Sequence, residues 1–345
     1  MYILVRVILT CLCTCIYLGV SEQLLASGCD LDHTDDKGRC ALHLAVYSEK
    51  LSMVELLLGA GCEVNLRDSY GDTPLMLCAT KGNSDIMEVL LNSGSQVNIQ
   101  NNEGDTALHF GARHGKHACV ELLIRYQTDM ELRNMWQVTG LLYAAECRHE
   151  ECVLALVRAG ADITPQSRNQ RTVLHYVASH GLVTCIKALL SKDIDADIPD
   201  ADGNTPLMNA VLKNKHKAVQ ELLQHGCKVD YIGQCSFGGA FTFCSPLEAA
   251  AHLGYVEVAK MLYAAGGSLN FMHCYDFCYI LRSNGCINAW VEEMRSGPRR
   301  LLESCRIRLR DMLGIRLRYK AQQLPLPKML KLYLAYYDLS LLTEE

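Results

Sequence analysis

Leucines at positions 42, 75, 108, 141, 174 and 207 stand a constant 33 residues apart, and that register leaves the chain few folds to adopt. A second series, Leu24, Leu57, Leu90, Leu123, Leu156, Leu189 and Leu222, keeps the same step. Similar short segments recur around the first series: Ala41-Leu42-His43, Thr73-Pro74-Leu75-Met76, Thr106-Ala107-Leu108-His109, Thr172-Val173-Leu174-His175 and Thr205-Pro206-Leu207-Met208. Gly38, Gly71, Gly104 and Gly203 precede them in frame. A threonine caps a helix well, and a proline suits its first turn, where a missing N–H costs little. Val54, Leu57 and Leu58 then show helical spacing, with Gly61 as a stop. One such helix pair cannot bury its own apolar faces, so neighbours must stack. Ser245-Pro246-Leu247 arrives after a step of 40, which predicts an inserted loop of seven residues near 233–243.

A 33-residue unit built as turn, Thr-Pro-Leu-His, short helix and second helix resembles the ankyrin repeat, and the resemblance covers residues 21–270. It implies an all-α solenoid of about seven repeats after an N-terminal half repeat. The fourth unit departs from the pattern, with Gln137 and Gly140 in place of the usual Gly and Pro. Leu141, Ala144, Ala145 and Gly160 nevertheless hold its register.

Eighteen cysteines need a compartment. Cys29, Cys62 and Cys227 follow Gly28, Gly61 and Gly226 in the slot Ala161 fills elsewhere, and Cys119, Cys152 and Cys185 share a slot on the second helix. Such slots want small apolar side chains, and equivalent residues of stacked repeats lie about 10 Å apart, beyond disulfide reach. These are core thiols of a reducing compartment, so the chain reads as cytoplasmic or nuclear. His43, His109 and His175 also recur in one slot, where an imidazole satisfies backbone groups of the turn. His273, Cys274, Cys278 and Cys286 lack the paired spacing of a zinc knuckle, so no metal is expected. With no catalytic triad, phosphate loop or HExxH motif, neither an enzyme nor a cofactor is expected. A formal charge of −5 argues against nucleic acid as partner.

Residues 1–20 carry one charge, Arg6, and are long enough to span a bilayer. No small-x-small cleavage site precedes Ser21, and cytosolic-type thiols follow directly, so a packed helix is favoured over a membrane tether.

After Asn270 the register ends. From Met294 to Lys320 nine basic residues face two acids. Leu301, Cys305, Leu309 and Met312 mark one face of an amphipathic helix between Pro298 and Gly314. Leu324-Pro325-Leu326-Pro327 then forms a rigid extended turn ahead of Leu330, Tyr333, Leu334 and Tyr337. The two elements resemble the SOCS box, whose first helix is an elongin-binding box and whose Leu-Pro-hydrophobic-Pro segment marks cullin-5. Leu301, Cys305 and Leu309 match the first, and Leu324, Pro325, Leu326 and Pro327 the second. Arg300 and Ser304 depart from the small and apolar residues usual beside that Leu and Cys.

The whole chain is thus similar to the ankyrin repeat and SOCS box family. The resemblance implies a non-catalytic substrate receptor of a ubiquitin ligase, with elongin B, elongin C, cullin-5 and its RING protein as partners and the repeats holding a target. The domains expected are an apolar segment at 1–20, repeats at 21–270, a capping segment at 271–295 and the SOCS box at 296–345. The competing reading is a scaffold whose terminal helices only cap the repeats. Tyr70 and Trp136 are the aromatics of a recurring tip position, also filled by Lys37, Glu103, Asn169 and Asp202, and are the candidate anchors for the target. Trp136 has an alternative duty, plugging the irregular fourth turn.

Overall fold

Each 33-residue unit resolves into two short helices and a turn. The computed structural model describes residues 30–192, 194–237 and 240–267, which fall into two compact units, one ending at Arg168 and one beginning at Asn169. In the first lie α1 (Ala41–Tyr47), α2 (Leu51–Gly59), α3 (Pro74–Lys81), α4 (Ser84–Asn92), α5 (Ala107–Arg113), α6 (His117–Arg125), α7 (Gly140–Glu146) and α8 (Glu150–Ala159). First helices pack on first helices, α1 on α3 on α5 on α7, and second helices do the same, α2 on α4 on α6 on α8. Leu42, Leu75, Leu108 and Leu141 on one layer, and Leu57, Leu90, Leu123 and Leu156 on the other, are at most 1% exposed. Each contributes on the order of 2 kcal/mol by leaving water.

Local chemistry sets the helix ends. Thr73 Oγ1 accepts the Met76 N–H at 3.4 Å, Pro74 opens α3, and Gly82 closes it at φ 89°. The fourth unit keeps this geometry despite its substitutions. Gln137 takes the left-handed φ of 60° that Gly104 takes at 82° in the preceding turn, at a cost of about 1 kcal/mol for a side chain. Thr139 still caps α7, its Oγ1 accepting from Leu142 N–H. Gly140 is dictated by packing, because a Cβ there would sit 3.0 Å from Leu108 Cγ. Gly140→Ala is therefore expected to lower stability by about 1 kcal/mol, helix propensity notwithstanding. A denaturant midpoint equal to or above wild type would mean that Leu108 moves aside freely.

The second unit holds α9 (Val173–His180), α10 (Val183–Leu190), α11 (Pro206–Leu212), α12 (His216–His225), β1 (Gly233–Phe237), β2 (Ala240–Cys244), α13 (Pro246–Leu253) and α14 (Val256–Ala264). The layers repeat, α9 on α11 on α13 and α10 on α12 on α14. The insertion expected as a loop is instead an antiparallel hairpin, β1 against β2, with Gly233 opposite Cys244 and Cys235 opposite Thr242. Among the described residues it adds a two-stranded sheet to an otherwise helical architecture. Buried Cys235 and Cys244 meet across it with their Sγ atoms 3.3 Å apart.

The described cysteines are free thiols. Cys119 and Cys152 in the first unit and Cys185 in the second are at most 1% exposed, as their shared slot requires. Burial pushes the Cys119 and Cys152 thiols up to about 11, so both stay protonated and inert. Cys227 is buried like Ala161, but Cys62 is only half-buried, and Cys29 lies outside the described residues. No helix among the described residues is long and apolar enough to cross a membrane, and residues 1–20 lie outside them.

Candidate functional site

An aspartate or asparagine in one repeated slot builds five of the tips, at 35, 68, 101, 134 and 200. Asp68 Oδ1 accepts the N–H groups of Tyr70 and Asp72, both at 2.9 Å. Asn101 Oδ1 takes those of Glu103 and Asp105 at 3.0 and 2.8 Å, and Asn134 Oδ1 those of Trp136 and Val138 at 3.0 Å. Asp35 and, in the second unit, Asp200 do the same. Such a side chain satisfies two turn donors that would otherwise need water.

Successive tips are tied by backbone. Ser69 N–H donates to Lys37 O, Asn102 N–H to Tyr70 O and Met135 N–H to Glu103 O, at 2.9 to 3.0 Å. In the second unit Ala201 N–H donates to Asn169 O and Gln234 N–H to Asp202 O. The slot's free group binds the preceding turn: Asn101 Nδ2 donates to Asp72 Oδ1 at 2.7 Å and Asn134 Nδ2 to Asp105 Oδ1 at 2.8 Å. Where the slot holds a carboxylate, as at Asp200, the preceding residue is the cation Arg171 at 3.1 Å.

The histidine series is a second tie between turns. His109 Nδ1 accepts the Thr106 N–H at 3.1 Å, while Nε2 donates to Val138 O at 3.0 Å, 29 residues on. His43 reaches Asp72 O and His175 reaches Asn204 O in the same way. All three rings are at most 1% exposed. Among the described residues no group of three or more potential ligands assembles a metal site, and the zinc candidates from His273 to Cys286 lie outside them.

On this frame Tyr70 projects into solvent, 67% exposed, while Trp136 is half-buried. Two further features carry no aromatic signature and escape a search for anchors. Met135, one residue before Trp136, is 52% exposed. Beside it opens a shallow polar notch of about 340 Å³, lined by Arg133, Gln137, Thr164, Pro165, Gln166, Ser167 and Arg168. The 33-residue register makes the notch legible in retrospect: Arg168 occupies the Met135 slot of the next turn, and Ser167 stands where other turns carry Asp or Asn. Leu301, Cys305, Leu309 and the segment Leu324 to Pro327 lie outside the described residues.

Comparison with known proteins agrees with this geometry. The chain matches the family described as Ankyrin repeats over residues 12–101, 93–167 and 141–232, and the family described as SOCS box over residues 297–335. Among solved structures it is similar to the ankyrin repeat domain of Bcl-3, described as a unique member of the IkappaB protein family. The identity is 24%, the TM-score 0.55, and the match covers 62% of this chain and 96% of that one. At that identity the likeness establishes the fold.

Proposed function

The chain belongs to the ankyrin repeat and SOCS box family and is a substrate adaptor of cullin-RING ligases, and we propose that it joins elongin B, elongin C and cullin-5 to a protein held on its repeats. One observation carries the reading: both modules occur in order, and the SOCS box match at 297–335 encloses Leu301, Cys305, Leu309 and Leu324 to Pro327 together. In this reading the sequence spacing of Leu301, Cys305 and Leu309 supplies the apolar residues for an elongin groove, and the Leu-Pro-Leu-Pro segment supplies two apolar residues for the cullin. A helix that merely closed the repeat stack would have no use for that segment. Tyr70 and Trp136 belong to the target surface, with Tyr70 the more accessible. Catalysis is then proximity: holding the target near a charged conjugating enzyme raises the effective concentration of its lysines. The site of action in this reading is the cytoplasm or nucleus.

Co-purification of the full chain with elongin B and C, and then with cullin-5, tests the assignment. Wild type is expected to hold both, Leu301→Asp to lose the elongins, and replacement of Leu324 to Pro327 by alanine to lose the cullin alone. A folded wild-type chain that captures neither would reduce the terminal segment to a cap.

A further inference from the structure

The notch beside the fourth turn holds two arginines whose charges the protein leaves uncompensated. Arg67 and Gln100 precede Arg133 in its repeated slot, and both spend their side chains on the next turn: Arg67 Nη2 donates to Gln100 O at 2.9 Å and Gln100 Nε2 to Arg133 O at 3.1 Å. Arg133 makes no such bond, and neither it nor Arg168 has an ion-pair partner within 4.0 Å among the described residues. Arg39 pairs with Asp35 and Arg171 with Asp200, and among the arginines without such a pair Arg133 and Arg168 are the two that line this concavity. Arg168 Nη2 donates to Met135 O at 2.6 Å, which holds its guanidinium at the rim.

Two acids that lie close to the notch lining in sequence, Glu131 and Asp162, are already engaged. Asp162 accepts from Thr164 Oγ1 at 2.8 and 3.0 Å and from Thr164 N–H at 2.9 Å, and Glu131 Oε1 accepts from Asp162 N–H at 2.8 Å. Both arginines are exposed, and Gln137, Gln166 and Ser167 supply neutral polar groups around them. Two guanidiniums converging on one concavity form a receptor for an oxyanion, because each offers paired N–H donors matched to carboxylate or phosphate oxygens. The chain as a whole carries −5, so the notch is a local inversion of its charge. Exposed Met135 at the rim supplies an apolar contact.

We propose that this notch receives an acidic side chain, carboxylate or phosphate, on a peptide segment of the target protein, with an apolar neighbour of that side chain resting on Met135. The inference rests on the adaptor reading above and names the chemistry of what the repeats hold.

Fluorescence anisotropy on the full chain tests it, using a labelled probe peptide Asp-Glu-Leu-Glu-Asp, its amide counterpart Asn-Gln-Leu-Gln-Asn, and a version with one phosphoserine in place of the second Glu. Wild type is expected to bind the acidic probes in a salt-dependent way and to ignore the amide peptide. The tighter of the two acidic probes identifies the preferred oxyanion. Arg133→Glu and Arg168→Glu should each weaken binding at least about tenfold, while Arg125→Glu, an equal charge reversal on exposed α6, should change it by less than about twofold. Equal losses in all three variants, or no binding by wild type, overturn the proposal. Elongin capture by the same preparations keeps the two readings apart: a chain that captures elongins yet ignores the acidic probes sinks this inference and leaves the adaptor assignment standing.

Discussion

Taking the chain from about pH 7 to about pH 4.5 is expected to remove roughly 2–3 kcal/mol of stability at His175 alone. Its imidazole is buried, and that burial lowers its pKa from the usual 6.5 to about 4. The hydrogen bonds give a second reason. Nε2 faces the Asn204 carbonyl and must carry the proton, while Nδ1 accepts from the Thr172 N–H, a donor that cannot turn away. Protonating Nδ1 would set two N–H groups against each other. Because the folded-state pKa lies below the unfolded one, the unfolded chain takes up the proton first between about pH 6.5 and about pH 4. Stability is therefore full above that window and is lost as the pH falls through it. Burial lowers His43 and His109 as well, so they add losses of the same sign. Asp72 works the other way, since burial raises its carboxyl above 3.8 and acid relieves it. The protein supplies its own control, because Met76 and Met208 fill the histidine slot in alternate repeats. His175→Met should flatten the dependence of the urea midpoint on pH below about 6.5, at the expense of some stability at neutral pH. A wild-type midpoint independent of pH across that window, or an unchanged slope in the variant, would refute the account.

The histidines also show how much a single sequence discloses. Their spacing already separated a fold position from a catalytic one, because a reactive group has no reason to return every 66 residues. Leu42 to Leu207 placed the first helices and Leu57 to Leu222 the second, since a stacked repeat needs the same apolar side chain at the same depth each time. The hairpin was legible too, though its extra residues were expected as a loop. Gly233–Phe237 and Ala240–Cys244 flank two glycines, the sequence pattern of a two-residue β-turn, but a helical register draws attention away from period-two alternation. Gln137 misled in the opposite direction. Its loss of glycine suggested a damaged turn, yet the two N–H groups held by Asn134 keep the turn closed and outweigh a modest backbone strain. Tyr70 and Trp136 could be singled out because aromatics are conspicuous at tips. Arg133 could not, because its distinction is a bond it fails to make, and that requires knowing where Arg67 and Gln100 point.

Asn134→Ala is expected to destabilise the first unit by about 3 kcal/mol and to loosen the tip that carries Met135 and Trp136. Asn134 is 2% exposed with both ends of its amide in use. Oδ1 holds the Trp136 and Val138 N–H groups, and Nδ2 donates to Asp105 Oδ1 and to Tyr143 Oη, both at 2.8 Å. Truncation orphans buried partners with no route to water, the costliest way to lose a hydrogen bond. Asn134→Asp separates the two ends of the amide. It keeps the acceptor, and Asp serves in this slot at 68 and 200, but here it sets a carboxylate against Asp105, itself 1% exposed. At Asp200 the facing residue is Arg171, so the same side chain is matched there and mismatched here. Asn134→Asp should therefore cost about as much as the alanine change, while the exchanged pair Asn134→Asp with Asp105→Asn restores a donor opposite an acceptor and should recover most of the loss. A double-mutant cycle on chemical denaturation measures it, and additive losses in the exchanged pair would show that the contact between neighbouring turns carries no coupling. The same variants separate tip geometry from charge at the notch. If the exchanged pair regains stability and acidic-probe binding together, Arg133 and Arg168 depend on the turn that Asn134 ties to Asp105.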